Sequence, residues 1–401
     1  MIDNYGSIIG EKEIIELKSI AEKLKGKKIL NVNSTFKGGG VAEILNKMIP
    51  IMESMGINIK WDIIKGDADF YGVTKKFHNA LHGVKENFSA EDFEIFLQTN
   101  NKNIEKINLD ADIVFIHDPQ PIALVNAKKN NGWFWRCHID LTNSDEKVYN
   151  FLKQFISKYD ACVFSSPYFS KTDIEIPQYL IFPSIDPMSD KNKELDDKLI
   201  EKVFFDFNID IKRPIITQIS RFDRLKDPIG VIKAYKMVKR HVDCQLVLAG
   251  GGADDDPEGA KVYEEVLEEK KDDPDIHILM LAQNDILINA LQRGSTVILQ
   301  KSLKEGFGLT ISEALWKKKP VIASNVGGIR YQITHKYNGL LSNSIEGTAH
   351  YIKQLIENPE YAAYLALNGR NHVKENFLIT RHIKEYMLMF LTEKNKDVIY
   401  F

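Results

Sequence analysis

Two glutamates eight positions apart, Glu305 and Glu313, bracket the turn Gly306-Phe307-Gly308-Leu309-Thr310. Carboxylates accept hydrogen bonds from hydroxyls and offer nothing to a phosphate. The glycines between them open a helix expected over 309–318, so free backbone N–H groups and the positive end of the helix dipole face one point. Phosphate donors in the middle with hydroxyl acceptors at either end suit a ligand carrying sugars on both sides of a diphosphate, a nucleotide-sugar. Taken alone, the same turn is also a tight strand–helix connection with two solvated glutamates.

Arg221 and Lys226, five positions apart in Ser-Arg-Phe-Asp-Arg-Leu-Lys-Asp227, supply cations. The pair reads either as surface charge or as two heads converging on one anion, Arg as a planar fork and Lys as a compact charge. In a transfer reaction both would stabilise a departing diphosphate. Asp223, Arg224 and Asp227 read as local ion-pair partners. Gly38, Gly39 and Gly40 follow the first strand-like run and open a helix, which lets backbone approach a ligand closely; the spacing is not G-x-G-x-x-G. Two further strand ends carry polar groups: His117-Asp118-Pro119-Gln120, and Arg136-Cys137-His138-Ile139-Asp140. Asp118, His138 and Asp140 are able to exchange hydrogen bonds with sugar hydroxyls, while Trp133 and Trp135 read as core. Gly250-Gly251-Gly252 and Gly327-Gly328 flank a nucleotide or simply make tight turns, and Asp254-Asp-Asp-Pro-Glu258 reads as a solvated loop tip.

These residues need a scaffold that delivers them to common points. Strand-like runs are expected over 28–34, 57–64, 112–117, 133–139, 161–165 and 179–183. A second series follows over 214–220, 245–249, 277–280, 296–300 and 320–324. Helical pieces alternate with them, one over 41–55 that Pro50 should kink or split. A final stretch over 362–391 is helical with little strand character. Alternating β and α with short connections implies parallel sheets flanked by helices. The fold class is therefore α/β, with two Rossmann-like parallel-sheet domains and ligands at the strand C-termini facing a central cleft. The expected boundaries are 1–187 for an acceptor-side domain and 188–379 for a donor domain, with a hinge near Asp186 and a last helix over about 380–401 returning to the first domain.

Composition agrees with a soluble enzyme. The 401 residues are 44% hydrophobic and 27% charged, with a net charge of −3 and a pI near 6.4, which favours neither nucleic acid nor an anionic membrane as partner. No apolar run reaches the ~18 residues of a membrane span. The opening Met-Ile-Asp-Asn-Tyr-Gly lacks a signal-peptide layout. Cys137, Cys162 and Cys244 are isolated, so buried free thiols in a reducing cytoplasm are expected, and no Cys/His spacing points to a metal.

The chain resembles the retaining GT-B nucleotide-sugar glycosyltransferases over nearly its whole length. The resemblance rests on Glu305 and Glu313 with Gly-Phe-Gly between them, on Arg221 with Lys226, on Gly38-Gly39-Gly40, and on Pro320-Val-Ile-Ala-Ser-Asn-Val-Gly-Gly328. Within that superfamily it is most similar to the trehalose synthase family of glycosyltransferring type. That likeness is carried by Gly-Gly-Gly-Val-Ala-Glu43, His-Asp-Pro-Gln-Pro121, Trp-Arg-Cys-His-Ile-Asp140 and Ser-Arg-Phe-Asp-Arg-Leu-Lys-Asp-Pro228. The resemblance implies an NDP-glucose donor, ADP- or UDP-glucose, with glucose as acceptor and trehalose as product in a reversible reaction. Glu313 would take the ribose hydroxyls and Glu305 the glucose hydroxyls. The backbone of Gly306, Phe307, Gly308, Leu309 and Thr310, with Gly39 and Gly40, would serve the donor. Arg221 and Lys226 would clamp the diphosphate, and Asp118, His138 and Asp140 would lie on the acceptor side. His138 joins Arg221, Lys226 and Glu305 as a catalytic candidate. No nucleophile is assigned, and the superfamily is usually explained by same-face displacement. Any Mg2+ would ride on the donor diphosphate rather than in a protein cage.

Other readings stay open. The acceptor is otherwise a glucan, a lipid or another sugar, although no basic amphipathic stretch for a membrane surface is evident. An NAD-type binding protein would want the missing dinucleotide fingerprint. Phosphorylase chemistry would want a pyridoxal lysine and inorganic phosphate, neither of which is visible. A homodimer is neither required nor excluded.

Overall fold

The computed structural model describes residues 1–37, 39–130, 132–251, 257–281 and 284–392. Gly38, the acidic run at 254–256 and residues 393–401 lie outside that set. The chain forms two compact units, Met1–Pro183 with Ile379–Phe401, and Ser184–Leu378.

The first unit holds six strands: β1 Lys28–Asn33, β2 Asn58–Ile63, β3 Ile113–His117, β4 Trp133–Cys137, β5 Ala161–Phe164 and β6 Gln178–Leu180. They pair in the order β2-β1-β3-β4-β5-β6, all parallel. The central strands are apolar along both faces because helices cover both, and every residue of β3 and β4 is buried. Two clusters divide those faces. Trp133 and Trp135 pack with Val114 and Ile116 on one side, and Phe115 and Phe134 pack with Ile383, Tyr386 and Phe390 of the returning helix Ile379–Thr392 on the other.

The second unit repeats the plan with β7 Ile215–Ile219, β8 Gln245–Gly250, β9 Ile276–Met280, β10 Val297–Gln300, β11 Val321–Ala323 and β12 Leu340–Leu341. The order is β12-β11-β10-β7-β8-β9, again all parallel. The two Rossmann-like sheets expected from the alternation are present.

In a parallel α/β sheet, ligands collect beyond the strand C-termini where the winding reverses. In the first unit that point lies between β1 and β3, so the end of β1 adjoins His117 and Asp118. In the second it lies between β7 and β10, so the Ser220–Asp227 and Lys301–Gly308 loops adjoin. Each candidate cluster therefore sits at a reversal point of its own sheet.

Three details differ from the sequence reading. Of the two outcomes expected at Pro50, a kink or a split, the split does not occur: the helix is continuous over Gly39–Glu53, with Pro50 in its last turn, where little helix follows the lost N–H bond. The final helical stretch is two helices, Pro359–Asn376 and Ile379–Thr392. The chain breaks at Phe377-Leu378, where Phe377 O accepts from Ile185 N at 2.8 Å and Leu378 bridges Ile185. β12 is only two residues long and leaves no period to read.

Candidate active site

In the second unit the two adjoining loops are joined by an ion pair. Lys226 Nζ lies 2.6 Å from Glu305 Oε2, and the same oxygen accepts from Gln300 Nε2 at 3.0 Å and Ser302 Oγ at 3.1 Å. Three donors on one oxygen fix the carboxylate. The Lys226 and Glu305 side chains are 18% and 10% exposed, so this is not a solvated surface pair. Glu313, in the helix Leu309–Trp316, is also withdrawn from water at 7% exposure. Burying two carboxylates is unfavourable without partners, which removes the reading of solvated glutamates.

The sequence did not single out the residues that hold this arrangement. Gln218, at the penultimate position of β7, donates to Lys226 O (2.8 Å) and accepts from Lys301 N (2.9 Å), tying both loops to one side chain. Lys301 pairs with Asp227, whose other oxygen caps the next helix at Gly230 N. Gln332 donates to Phe307 O at 2.5 Å and to Gly308 O at 3.3 Å, and accepts from Ser312 Oγ at 2.6 Å. The only signal in the sequence was glutamine inside otherwise apolar strands, as in Ile-Ile-Thr-Gln-Ile219 and Val-Ile-Leu-Gln300.

Those bonds orient the turn. Gly306 O accepts from Gly328 N at 2.9 Å, and the next two carbonyls accept from Gln332. In a planar trans peptide the following N–H points opposite to the carbonyl. The N–H groups of Phe307, Gly308 and Leu309 are therefore each turned away from their engaged carbonyls, Gly308 with φ +81° and no side chain capping the helix start. Leu309 and Thr310 form the first turn and are half-buried.

The glycines sort by what a side chain would strike. A Cβ on Gly327 would lie 1.7 Å from Glu305 O, and one on Gly250 would lie 1.8 Å from Ser220 O. These positions are required by backbone approach beneath the two loops. A Cβ on Gly306 or Gly40 would meet no protein atom within 4 Å. Protein packing does not require glycine at those two.

Arg221, expected to converge with Lys226 on one anion, rests on a neighbouring carboxylate. Its side chain is 66% exposed and its Nη2 reaches Asp223 Oδ2 at 3.2 Å, so Arg221 and Lys226 engage different carboxylates. Asp223 also caps Lys226 N at 3.2 Å, and Arg224 pairs with Glu265.

In the first unit Asp118 sits just past β3 with φ +64°, a conformation seldom taken by residues other than glycine and asparagine or aspartate. The turn is held by Asp118 N to Arg136 O (2.8 Å) and by Trp135 Nε1 to Asp118 O (3.0 Å). Asp118 Oδ1 accepts from His138 N at 2.8 Å, which brings two of the expected residues together. Burial lifts the Asp118 carboxyl to about 6, although the His138 N–H and the Arg136 guanidinium pull the other way. Burial, then Arg136 and His117, holds the His138 imidazole well below its ordinary value, so it is neutral. Asp140 is half-buried and spends Oδ1 on Thr142 N at 2.9 Å, a local turn. Gly39 and Gly40 begin the helix after β1. Arg136, fully buried, donates to Phe164 O, Ser165 Oγ and Ile181 O and so ties the ends of β4, β5 and β6. Cys137, Cys162 and Cys244 are buried free thiols.

Residues 31–171 match the family model described as the N-terminal domain of trehalose synthase, and residues 200–372 match glycosyl transferases group 1. The chain is 41% identical over 393 residues to the trehalose synthase of Pyrococcus horikoshii, covering 96% of this chain and 95% of that protein. It is 39% identical to the trehalose synthase of Rubrobacter xylanophilus over 96% and 95%. Among solved structures, a UDP-forming α,α-trehalose-phosphate synthase from Burkholderia xenovorans in complex with glucose-6-phosphate superposes with a TM-score of 0.70, at 13% identity over 91% of this chain and all of that one. This last likeness concerns the fold.

Proposed function

We propose a reaction for this chain from its membership and its site: it belongs to the trehalose synthase family of glycosyltransferases. The reaction is transfer of glucose from an NDP-glucose to glucose, giving trehalose with retention at the donor carbon. The bond between C1 and the diphosphate oxygen breaks, the bond from C1 to the acceptor hydroxyl oxygen forms, and the hydroxyl proton leaves with the diphosphate. The observation that carries the donor half is the turn at 306–309, with three N–H groups turned from their engaged carbonyls beside a carboxylate fixed by three donors.

In this reading Glu305 accepts the hydroxyls of the transferred glucose and Glu313 those of the ribose. The backbone of Gly306, Phe307, Gly308, Leu309 and Thr310 meets phosphate oxygens, and Gly39 and Gly40 let the helix start approach the donor. Lys226 and Arg221 take up charge on the departing diphosphate, where preorganised cations act most strongly. A covalent route needs a free carboxylate under the anomeric carbon. Glu305, held by Lys226, Gln300 and Ser302, is poorly suited to that, which supports same-face displacement. Asp118, His138 and Asp140 receive the acceptor sugar. Mg2+, where used, sits on the diphosphate. No helix among the described residues is long and apolar enough to cross a membrane, and the nucleotide-sugar donor favours a cytoplasmic setting.

The test follows NDP release from ADP- and UDP-glucose with and without glucose. Release that depends on glucose supports the reading. Release only with other acceptors refutes glucose as acceptor, and formation of glucose 1-phosphate from trehalose and inorganic phosphate would mark a phosphorylase instead.

A further inference from the structure

His117 has no part in the scheme above, yet it is buried against a residue that does. Asn31 on β1, His117 at the end of β3 and His138 just beyond β4 come from three neighbouring strands and form one line of hydrogen bonds. Asn31 Oδ1 is 3.1 Å from His117 Nε2, and His117 Nδ1 is 3.3 Å from His138 Nε2. The two rings are inclined by only 19°, and their centroids are 5.6 Å apart, longer than the N···N distance by about two ring radii. The nitrogens therefore meet head on, nearly in plane, as an N–H···N bond requires.

The order of donors along this line follows from its fixed end. Lys60 O, a carbonyl, faces the Asn31 amide nitrogen at 3.5 Å, so the amide oxygen faces His117. An oxygen there needs a donor, which places the His117 proton on Nε2. His117 is fully buried and neutral, its imidazole pushed down to about 3 by burial and by Arg136. Its Nδ1 is then a bare lone pair and must accept. The proton between the rings therefore belongs to His138 Nε2. A neutral imidazole carries one N–H, so His138 Nδ1 is left unprotonated, and it has no hydrogen-bond partner among the described residues.

We propose that Asn31 and His117 are positioning residues that lock His138 in the Nε2–H tautomer, so that its Nδ1 accepts a hydrogen bond from a hydroxyl of the acceptor sugar. The proposal rests on the assignment of His138 to the acceptor. It explains why two polar side chains are buried behind that residue: they select which nitrogen of the imidazole is an acceptor, while burial keeps the ring neutral toward an uncharged sugar. The charged groups around the line, Arg136 and the Asp118 carboxylate that takes the His138 N–H, lie to its side and do not enter it.

Nitrogen NMR of the full-length protein labelled in its histidine rings tests this directly, with the His138 signals assigned by their loss in His138→Gln. At neutral pH His138 should show a protonated Nε2 and an unprotonated Nδ1. A proton on Nδ1 overturns the proposal whatever the activity. In His117→Phe the His138 signals should move toward mixed tautomers and KM for glucose should rise by about twofold, in step with the fall in the competent Nε2–H fraction, while NDP-glucose affinity stays unchanged. Unchanged tautomer together with unchanged KM in that variant also overturns it. Where His117→Phe does not fold, the wild-type spectrum alone decides. If His138→Gln leaves KM for glucose untouched, the assignment of His138 to the acceptor fails and takes the proposal with it.

Discussion

Replacing Lys226 by methionine separates what the Lys226–Glu305 pair does for stability from what it does for chemistry. Methionine keeps the stem and removes the charge. Glu305 Oε2 then loses its donor at 2.6 Å and retains only Gln300 at 3.0 Å and Ser302 at 3.1 Å. Breaking a fully buried pair costs about 3–5 kcal/mol and an exposed one about 0–1 kcal/mol. With side chains 18% and 10% exposed the pair lies between, so about 2 kcal/mol is expected. For a unit of this size that is a fall in Tm of about 4–8 °C, read by calorimetry. Loss of one charge-stabilising group should also lower kcat by about 10²-fold or more, read from NDP release. The double variant Lys226→Met with Glu305→Gln removes the stranded carboxylate as well. It should recover much of the stability and none of the turnover. A single variant with near wild-type kcat, or a double variant that regains transfer, refutes the diphosphate role of Lys226.

Three further outcomes follow. Arg221→Ala should lower turnover by about 10²-fold while moving stability by less than about 0.5 kcal/mol, since its side chain is 66% exposed and its ion pair is with Asp223; a near wild-type rate at unchanged donor affinity would remove it from the machinery. Asp118 is lifted to about 6 by burial, so kcat/KM for the acceptor should fall as pH drops through about 6, and Asp118→Asn should lack that limb and be slower at neutral pH; a variant that keeps the limb assigns it elsewhere. Lys317 is buried with its Nζ on Asn192 Oδ1, Gln292 Oε1 and Glu313 O, and burial lowers its pKa below the usual 10.5. The unfolded chain then binds more protons across that interval, so stability should rise with pH from the lowered pKa up to 10.5; urea denaturation of Lys317→Met should show a shallower slope there, and an unchanged slope contradicts the assignment.

The sheets were legible because strands buried on both faces spell continuous apolar runs, as in Ile-Val-Phe-Ile-His117 and Val-Ile-Leu-Gln300. What escaped had no such period: two residues of β12, and a helix break at Phe377-Leu378 made by a contact with Ile185, 193 positions away, rather than by glycine or proline. Around the site, glycines and charged residues stood out because their types are chemically pointed. Their partners did not. The Lys226–Glu305 pair spans 79 positions, and nothing in either segment names the other. Gln218, Gln300 and Gln332 act through hydrogen bonds to backbone, hydroxyl and carboxylate groups far along the chain or across a turn, which composition and spacing do not announce. In the Arg221 segment the local partner was legible: Asp223, read as an ion-pair residue, takes the guanidinium at 3.2 Å.

The central claim is tested most directly by mixing NDP-glucose labelled with 13C at C1 with unlabelled glucose and enzyme, and following the anomeric carbon by NMR. The account predicts that the label moves from the α-linked donor into a non-reducing α,α-1,1 disaccharide, with one NDP released per disaccharide formed. A β-linked product, a reducing disaccharide, or NDP release with labelled free glucose as the sole product would contradict it.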